Sequence, residues 1–231
     1  MADVIADADL LRDLPEAWFR IFPSGHDIFN YVEQAIPQAT WTRSIDELLL
    51  RRRQREFDIF SVIESHDVMP RIKGGFRTVD EFVQYANSVA NRRKSRTGLS
   101  LELNLASIFR HEKLKFEMQV VTEQNKRPDF VFPSGSEYHN PEFPSAKLHM
   151  LASKTCCKDR WRQAVTEADR IHPKHLFTLQ EGISSNQLEE MYANHIVLVV
   201  PAPNIRSFPP KFRERILTLS SFVDFIRLDQ D

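Results

Sequence analysis

The stretch from residue 128 to 155 opens with Pro128-Asp129-Phe130-Val131-Phe132-Pro133-Ser134-Gly135. It closes with Leu148-His149-Met150-Leu151-Ala152-Ser153-Lys154-Thr155. Asp129 to Phe132 reads as a short buried strand stopped by Pro133-Ser134-Gly135, and Leu148 to Thr155 as a longer one. Working outward, Phe116 to Val121, His175 to Leu179 and Ile196 to Val200 share that character, which gives five strands. Helical segments are expected from about Lys158 to Ile171, Ser185 to Asn194 and Ile216 to Ile226. Strands alternating with helices predict an α/β fold with a central mixed five-stranded sheet flanked by helices.

Upstream the pattern is helical. Ser44 followed by Glu47 is a capping-box signature, and Thr78 with Glu81 repeats it. Pro23-Ser24-Gly25 and Pro37 mark turns, and Gly74-Gly75 breaks the chain. One helix is expected from Thr78 to about Asn91 and another from Ser100 to His111, burying Leu101, Leu105, Ile108 and Phe109. Residues 1–72 are therefore expected to be a helical segment packed on a core formed by residues 73–231.

The chain has 231 residues, 42% of them hydrophobic and 27% charged, enough for a large closed core and unlike a disordered chain. No apolar run is long enough to cross a bilayer, and no basic region precedes an apolar run at the N-terminus, so a cytoplasmic protein is expected. Cys156 and Cys157 are adjacent, form no ligand pattern with His139 or His149, and are expected to fill a core strand end. Net charge is −1, yet Arg51-Arg52-Arg53-Gln54-Arg55 and Arg92-Arg93-Lys94-Ser95-Arg96 are dense basic runs. Such runs either neutralise phosphates locally or form solvated helix faces.

Two neighbouring strands whose ends meet at one sheet edge would join Asp129 to Lys154. An Asp there can bind Mg²⁺, and a Lys can orient water and offset charge on a phosphate. Ala152 stands where nuclease cores often carry a second acid, two positions before the Lys. Glu167 could supply that acid from the following helix, and Glu102 is a further candidate for the metal. Lys158-Asp159-Arg160-Trp161-Arg162 would place cations at a helix N-terminus beside the site, as a phosphate clamp.

With these residues in view, the chain resembles the catalytic C-terminal domain of the EcoRII restriction endonuclease family. The likeness runs through Ala86 to Arg96, Asn125 to Phe132, Lys154 to Gln163, Glu167 to His172 and His175 to Gly182. It implies a restriction-endonuclease-like core in which Asp129, Lys154 and Glu167 form a variant PD-(D/E)xK set using Mg²⁺ and no nucleotide. It further implies that Glu102 matches an acidic position on the helix before the sheet, with Lys158 and Arg160 near the site. Tyr138, between the two strands, could serve as a nucleophile, but carboxylates plus Lys suffice without one. The partner implied is double-stranded DNA at a CCWGG-like site, cut before the first C by a homodimer. Arg92, Arg93, Lys94 and Arg96 would read its G·C pairs, and the central bases would be extruded.

EcoRII itself has a separate N-terminal effector domain, for which 231 residues leave no room. Met1 favours a compact enzyme needing one site over an excised catalytic domain. Two rival uses of the same core are a structure-directed repair nuclease and a catalytically silent DNA-binding protein. Intact Asp129, Lys154 and Glu167 weigh against the silent one.

Overall fold

A computed structural model describes residues 11–157 and 160–230. Helix α1 spans Gly25–Ala35, and Ser24 caps it reciprocally with Asp27. Helix α2 (Ile45–Gly74) starts where Ser44 Oγ accepts the Glu47 N–H at 3.3 Å. It ends at Gly74, followed by Gly75 at φ 74°, a left-handed stop that favours glycine. Helix α3 (Val79–His111) opens with Thr78 accepting the Glu81 N–H. The two helices expected over Thr78–Asn91 and Ser100–His111 are thus one. Gly98 lies in open space within it, and a single glycine costs a helix only about 1 kcal/mol.

Six strands form one sheet in sequence order: β1 (Glu117–Met118), β2 (Phe130–Phe132), β3 (His149–Lys154), β4 (Lys174–Thr178), β5 (Ile196–Val200) and β6 (Leu217–Thr218). β1, β2 and β3 pair antiparallel, and β3 through β6 pair parallel. The sixth strand corrects the expected count of five. Leu217 and Thr218 lie inside the expected terminal helix but pair with Val199 and Val200, and helix α7 begins only at Leu219, running to Gln230. Short helices α4 (Gly135–His139), α5 (Trp161–Val165) and α6 (Ser185–Ala193) occupy the connections.

The chain divides into two compact units, each drawn from two stretches of the sequence. One comprises the described residues up to Trp41 with Leu50–Asn104, and the other Thr42–Leu49 with Leu105–Asp231. In the first, Ile28, Val32, Ile59, Phe60 and Ile63 form an apolar cluster. The basic run of α2 turns inward here. Arg52 donates to the Ile36 carbonyl, Arg53 to the Thr97 carbonyl and Ser100 hydroxyl, and Arg55 pairs with Asp58.

In the second unit, residues alternate across the sheet as strands require. Val131, Met150, Ala152, Leu176 and Leu198 join Tyr138, Trp161, Leu188 and Met191 in one core. Phe130 and Phe132 meet Phe109, and Phe132 also meets Phe222, all edge to face. Asp46, on the first turn of α2 and 1% exposed, accepts backbone N–H groups from Ala202, Leu219 and Ser220. It thereby caps α7 from a distant part of the chain.

Candidate active site

Phe130 pairs with Leu151 in the β2–β3 register, which brings Asp129, one step before β2, opposite Ala152, with its side chain in reach of Ser153 near the end of β3. Asp129 Oδ2 accepts the Ser153 N–H at 2.6 Å, the Ser153 hydroxyl at 3.1 Å and Lys154 Nζ at 2.9 Å. Asp129 Oδ1 accepts Gln119 Nε2 at 3.3 Å. Both carboxylate oxygens are held, and the carboxylate is 7% exposed at the sheet edge. A charge-assisted pair this enclosed has a fixed geometry, unlike a surface ion pair.

Glu167, the other expected acid, stands outside the sheet. The helix expected from Lys158 to Ile171 is only α5, ending at Val165, so Glu167 lies in the turn after it. Its Oε2 is buried with no hydrogen-bond partner among the described residues. Burial pushes its carboxyl up to about 7; the Asp129 carboxylate adds to that rise, while the Lys154 ammonium opposes it. An orphaned buried oxygen that feels the charge of a second carboxylate fits a cation. No group of three or more His, Cys, Asp or Glu side chains able to hold a metal occurs among the described residues. Two carboxylates are the complement that suits Mg²⁺, which keeps several waters and takes phosphate oxygens as further ligands.

Glu102 stands on α3, partly buried, within the first unit. Tyr138 is 1% exposed and donates its hydroxyl to Glu123 Oε2 at 2.6 Å. Burial, then that bond and charge, raise its pKa, so the phenol stays protonated and is a poor nucleophile. Lys158 lies outside the described residues. Arg160 is exposed just before α5, whereas Arg162 pairs with Glu190 at 2.7 Å and covers the Trp161 ring. Within the first unit, Arg92 pairs with Asp67 at 2.8 Å and Arg93 with Glu64 at 2.6 Å. Arg96 lies over the Phe60 ring at 4.3 Å, and Lys94 is exposed.

The family model for the EcoRII C-terminal domain matches residues 60–223. The chain belongs to the EcoRII C-terminal family. It is 49% identical over 211 residues to the type II restriction enzyme EcoRII of Escherichia coli, across 91% of this chain. The chain spans about half of that enzyme, 52% of its length. Among solved structures, a restriction endonuclease PspGI–substrate DNA complex matches with a TM-score of 0.72 at 17% identity. That match covers 90% of this chain and 93% of the other. Metal-depleted Ecl18kI in complex with uncleaved, modified DNA matches with a TM-score of 0.73, also at 17% identity, covering 97% and 83%. At that identity the likeness establishes the restriction-endonuclease fold.

Several residues around the site of this EcoRII C-terminal family member were not legible beforehand. Gln119 follows β1 at φ 55°, and its amide donates to Asp129. Ser153 gives Asp129 both its backbone and its hydroxyl. Lys174, 2% exposed, donates to the Val165 carbonyl at 2.6 Å, and Lys126 to the Thr166 carbonyl at 2.9 Å. A lysine at the head of an apolar strand was the one available signal, since burying its ammonium needs a compensating partner. Just beyond the site, Cys157 is buried and its N–H donates to Gln180 Oε1 at 2.8 Å, in keeping with the expected core role. Cys156 is only half-buried.

Proposed function

We propose that this chain is a type II restriction endonuclease that hydrolyses both strands of duplex DNA at a CCWGG-like site, before the first C. The observation that carries the reading is the enclosed Asp129–Lys154 pair with the carboxyl of Glu167 beside it. The DNA-bound state of both structural relatives and the enzyme name of the sequence relative support it.

Asp129 and Glu167 would hold Mg²⁺. Bound there, the ion supplies positive charge for the scissile phosphate and a more acidic water. Lys154, fixed by Asp129, presents its ammonium at the sheet edge, where it orients the attacking water and offsets charge developing on the phosphate. Glu167 must lose its proton before it can act as a ligand, so its environment sets when the site is competent. No covalent intermediate is needed, which leaves Tyr138 in a structural role.

Recognition belongs to Arg92, Arg93, Lys94 and Arg96. Ion pairs with both partners as accessible as Arg92–Asp67 are worth about 0–1 kcal/mol, so a guanidinium can exchange its carboxylate for a guanine edge. Arg160, Lys158 and Arg162 would contact phosphates flanking the cut. A near-palindromic site with two scissile phosphates requires two copies of the chain related by a twofold axis, with the central base pair extruded.

The test is to sequence the ends produced from plasmid DNA by the purified chain with Mg²⁺. Uniform ends at CCWGG, absent in EDTA, support the proposal. Scattered ends would mark a structure-directed nuclease, and tight duplex binding without cutting a silent binding protein.

A further inference from the structure

We infer that Lys126 and Lys174 are positioning residues for Glu167: their ammonium groups clamp the two carbonyls that end helix α5, and so fix the turn that carries that carboxylate. The inference rests on the metal-site reading given above for what Glu167 does, and on geometry for how it is held.

A strand-borne acid inherits its position from the sheet ladder; Glu167 does not. It follows a helix of only five residues, Trp161–Val165, too short to be stable by its own hydrogen bonds. Ala168, one residue on, has φ 51°, an uncommon conformation for a residue with a side chain. Such a turn needs outside partners, and the described ones converge on it. Lys174 Nζ holds the Val165 carbonyl at 2.6 Å, and Lys126 Nζ the Thr166 carbonyl at 2.9 Å. These carbonyls lie at the end of a helix, where backbone acceptors lack intrahelical donors and cations are favoured. Glu123 accepts the Asp169 N–H at 3.2 Å, and Arg170 donates to the carbonyls of Asn140 and Phe143. The residues flanking Glu167 on both sides are thus pinned, while its own carboxylate is left to the site.

Lys174 would be an expensive choice for packing alone. It heads a fully buried strand and is 2% exposed, where a Met or Leu would fill the same space without a charge to desolvate. The acidic side chains of Asp169, Glu167 and Glu123 offset that charge. Removing residues that hold a metal ligand characteristically weakens metal binding or activity about 10–100-fold.

The experiment is direct titration of the full chain with Mn²⁺, comparing the wild type with Lys126→Met, Lys126→Arg, Lys174→Met, Glu167→Gln, Asp129→Ala and Lys126→Met/Glu167→Gln. Lys126→Met and Lys174→Met are expected to weaken Mn²⁺ binding about 10–100-fold. Lys126→Arg should restore most of it, and Lys126→Met should add nothing in the Glu167→Gln background. Lys126 is only partly buried, so that variant carries the test even where Lys174→Met fails to fold. Binding within twofold of wild type in Lys126→Met, or a loss that persists in the Glu167→Gln background, overturns the inference. Unchanged Mn²⁺ binding in Asp129→Ala and Glu167→Gln would remove the metal-site reading instead. Amide hydrogen exchange at Glu167 and Ala168 then decides the clamp alone: about tenfold faster exchange in Lys126→Met upholds it, and an unchanged rate overturns it.

Discussion

The backbone N–H of Ser153 donates to Asp129 Oδ2 at 2.6 Å, from the residue immediately before Lys154. The same oxygen takes the Lys154 ammonium at 2.9 Å. The β2–β3 register therefore sets the distance between acid and lysine, and any slip of one residue would separate them.

Asp129→Ala is expected to lower cleavage at least 1000-fold while specific duplex binding stays measurable. Gel-shift and plasmid-cutting assays on one preparation separate the two, and retained cutting would sink the assignment of Asp129.

Glu167 gives the site a pH dependence whose sign is fixed. Its carboxyl ionises near pH 7 in the folded chain and near 4.5 when unfolded. The folded state thus holds the proton more tightly, so stability falls as pH rises from about 4.5 through 7 and then levels off. Glu167→Gln should escape that loss. Its stability advantage over wild type should grow by roughly 2 kcal/mol between pH 5 and 8, allowing for the partial exposure of the turn. Urea unfolding at both pH values measures it. Mn²⁺ affinity of the wild type should also rise with pH across 7, with one proton released per ion.

Tyr138→Phe is expected to cut DNA within about threefold of wild type and to lose about 1 kcal/mol of stability with the bond to Glu123. A drop above 100-fold in turnover at unchanged stability would instead identify the phenol as the nucleophile.

Asp46→Ala should cost about 3 kcal/mol in chemical denaturation, because three backbone N–H groups and the Ser220 hydroxyl lose a buried charged acceptor. Asp46→Asn, which keeps an acceptor oxygen, should recover part of it.

Lys94→Ala is expected to weaken binding to all duplexes alike and to flatten the salt dependence by about one counterion. Arg93→Ala should act selectively at a G·C pair. Fluorescence anisotropy on cognate and scrambled duplexes at several salt concentrations tells the two apart.

The sheet was largely legible because apolar runs bounded by Pro, Ser and Gly carry strand identity locally. Asp129 and Lys154 were legible as a pair because both sit at strand ends. The sixth strand was not, since two residues, Leu217 and Thr218, carry no periodicity and pair only because Val199 and Val200 lie alongside. Glu167 falls inside the helix expected from about Lys158 to Ile171, yet Ala168 turns left-handed and the helix stops at Val165. The first basic run read as a surface charge cluster, although Arg52 and Arg53 point inward to backbone and hydroxyl acceptors. A local charge count cannot distinguish a solvated arginine from one that closes a buried network.

Ala152, wholly buried in the strand that ends in Lys154, leaves the second acid to arrive on a turn fifteen positions further along. Folding and competence are consequently separable in this chain. Inserting one residue between Val165 and Glu167 would leave every strand pairing intact and still carry the carboxylate away from Asp129. On the proposed reading of Glu167, a molecule so altered would unfold and bind DNA much as before, and would be inert.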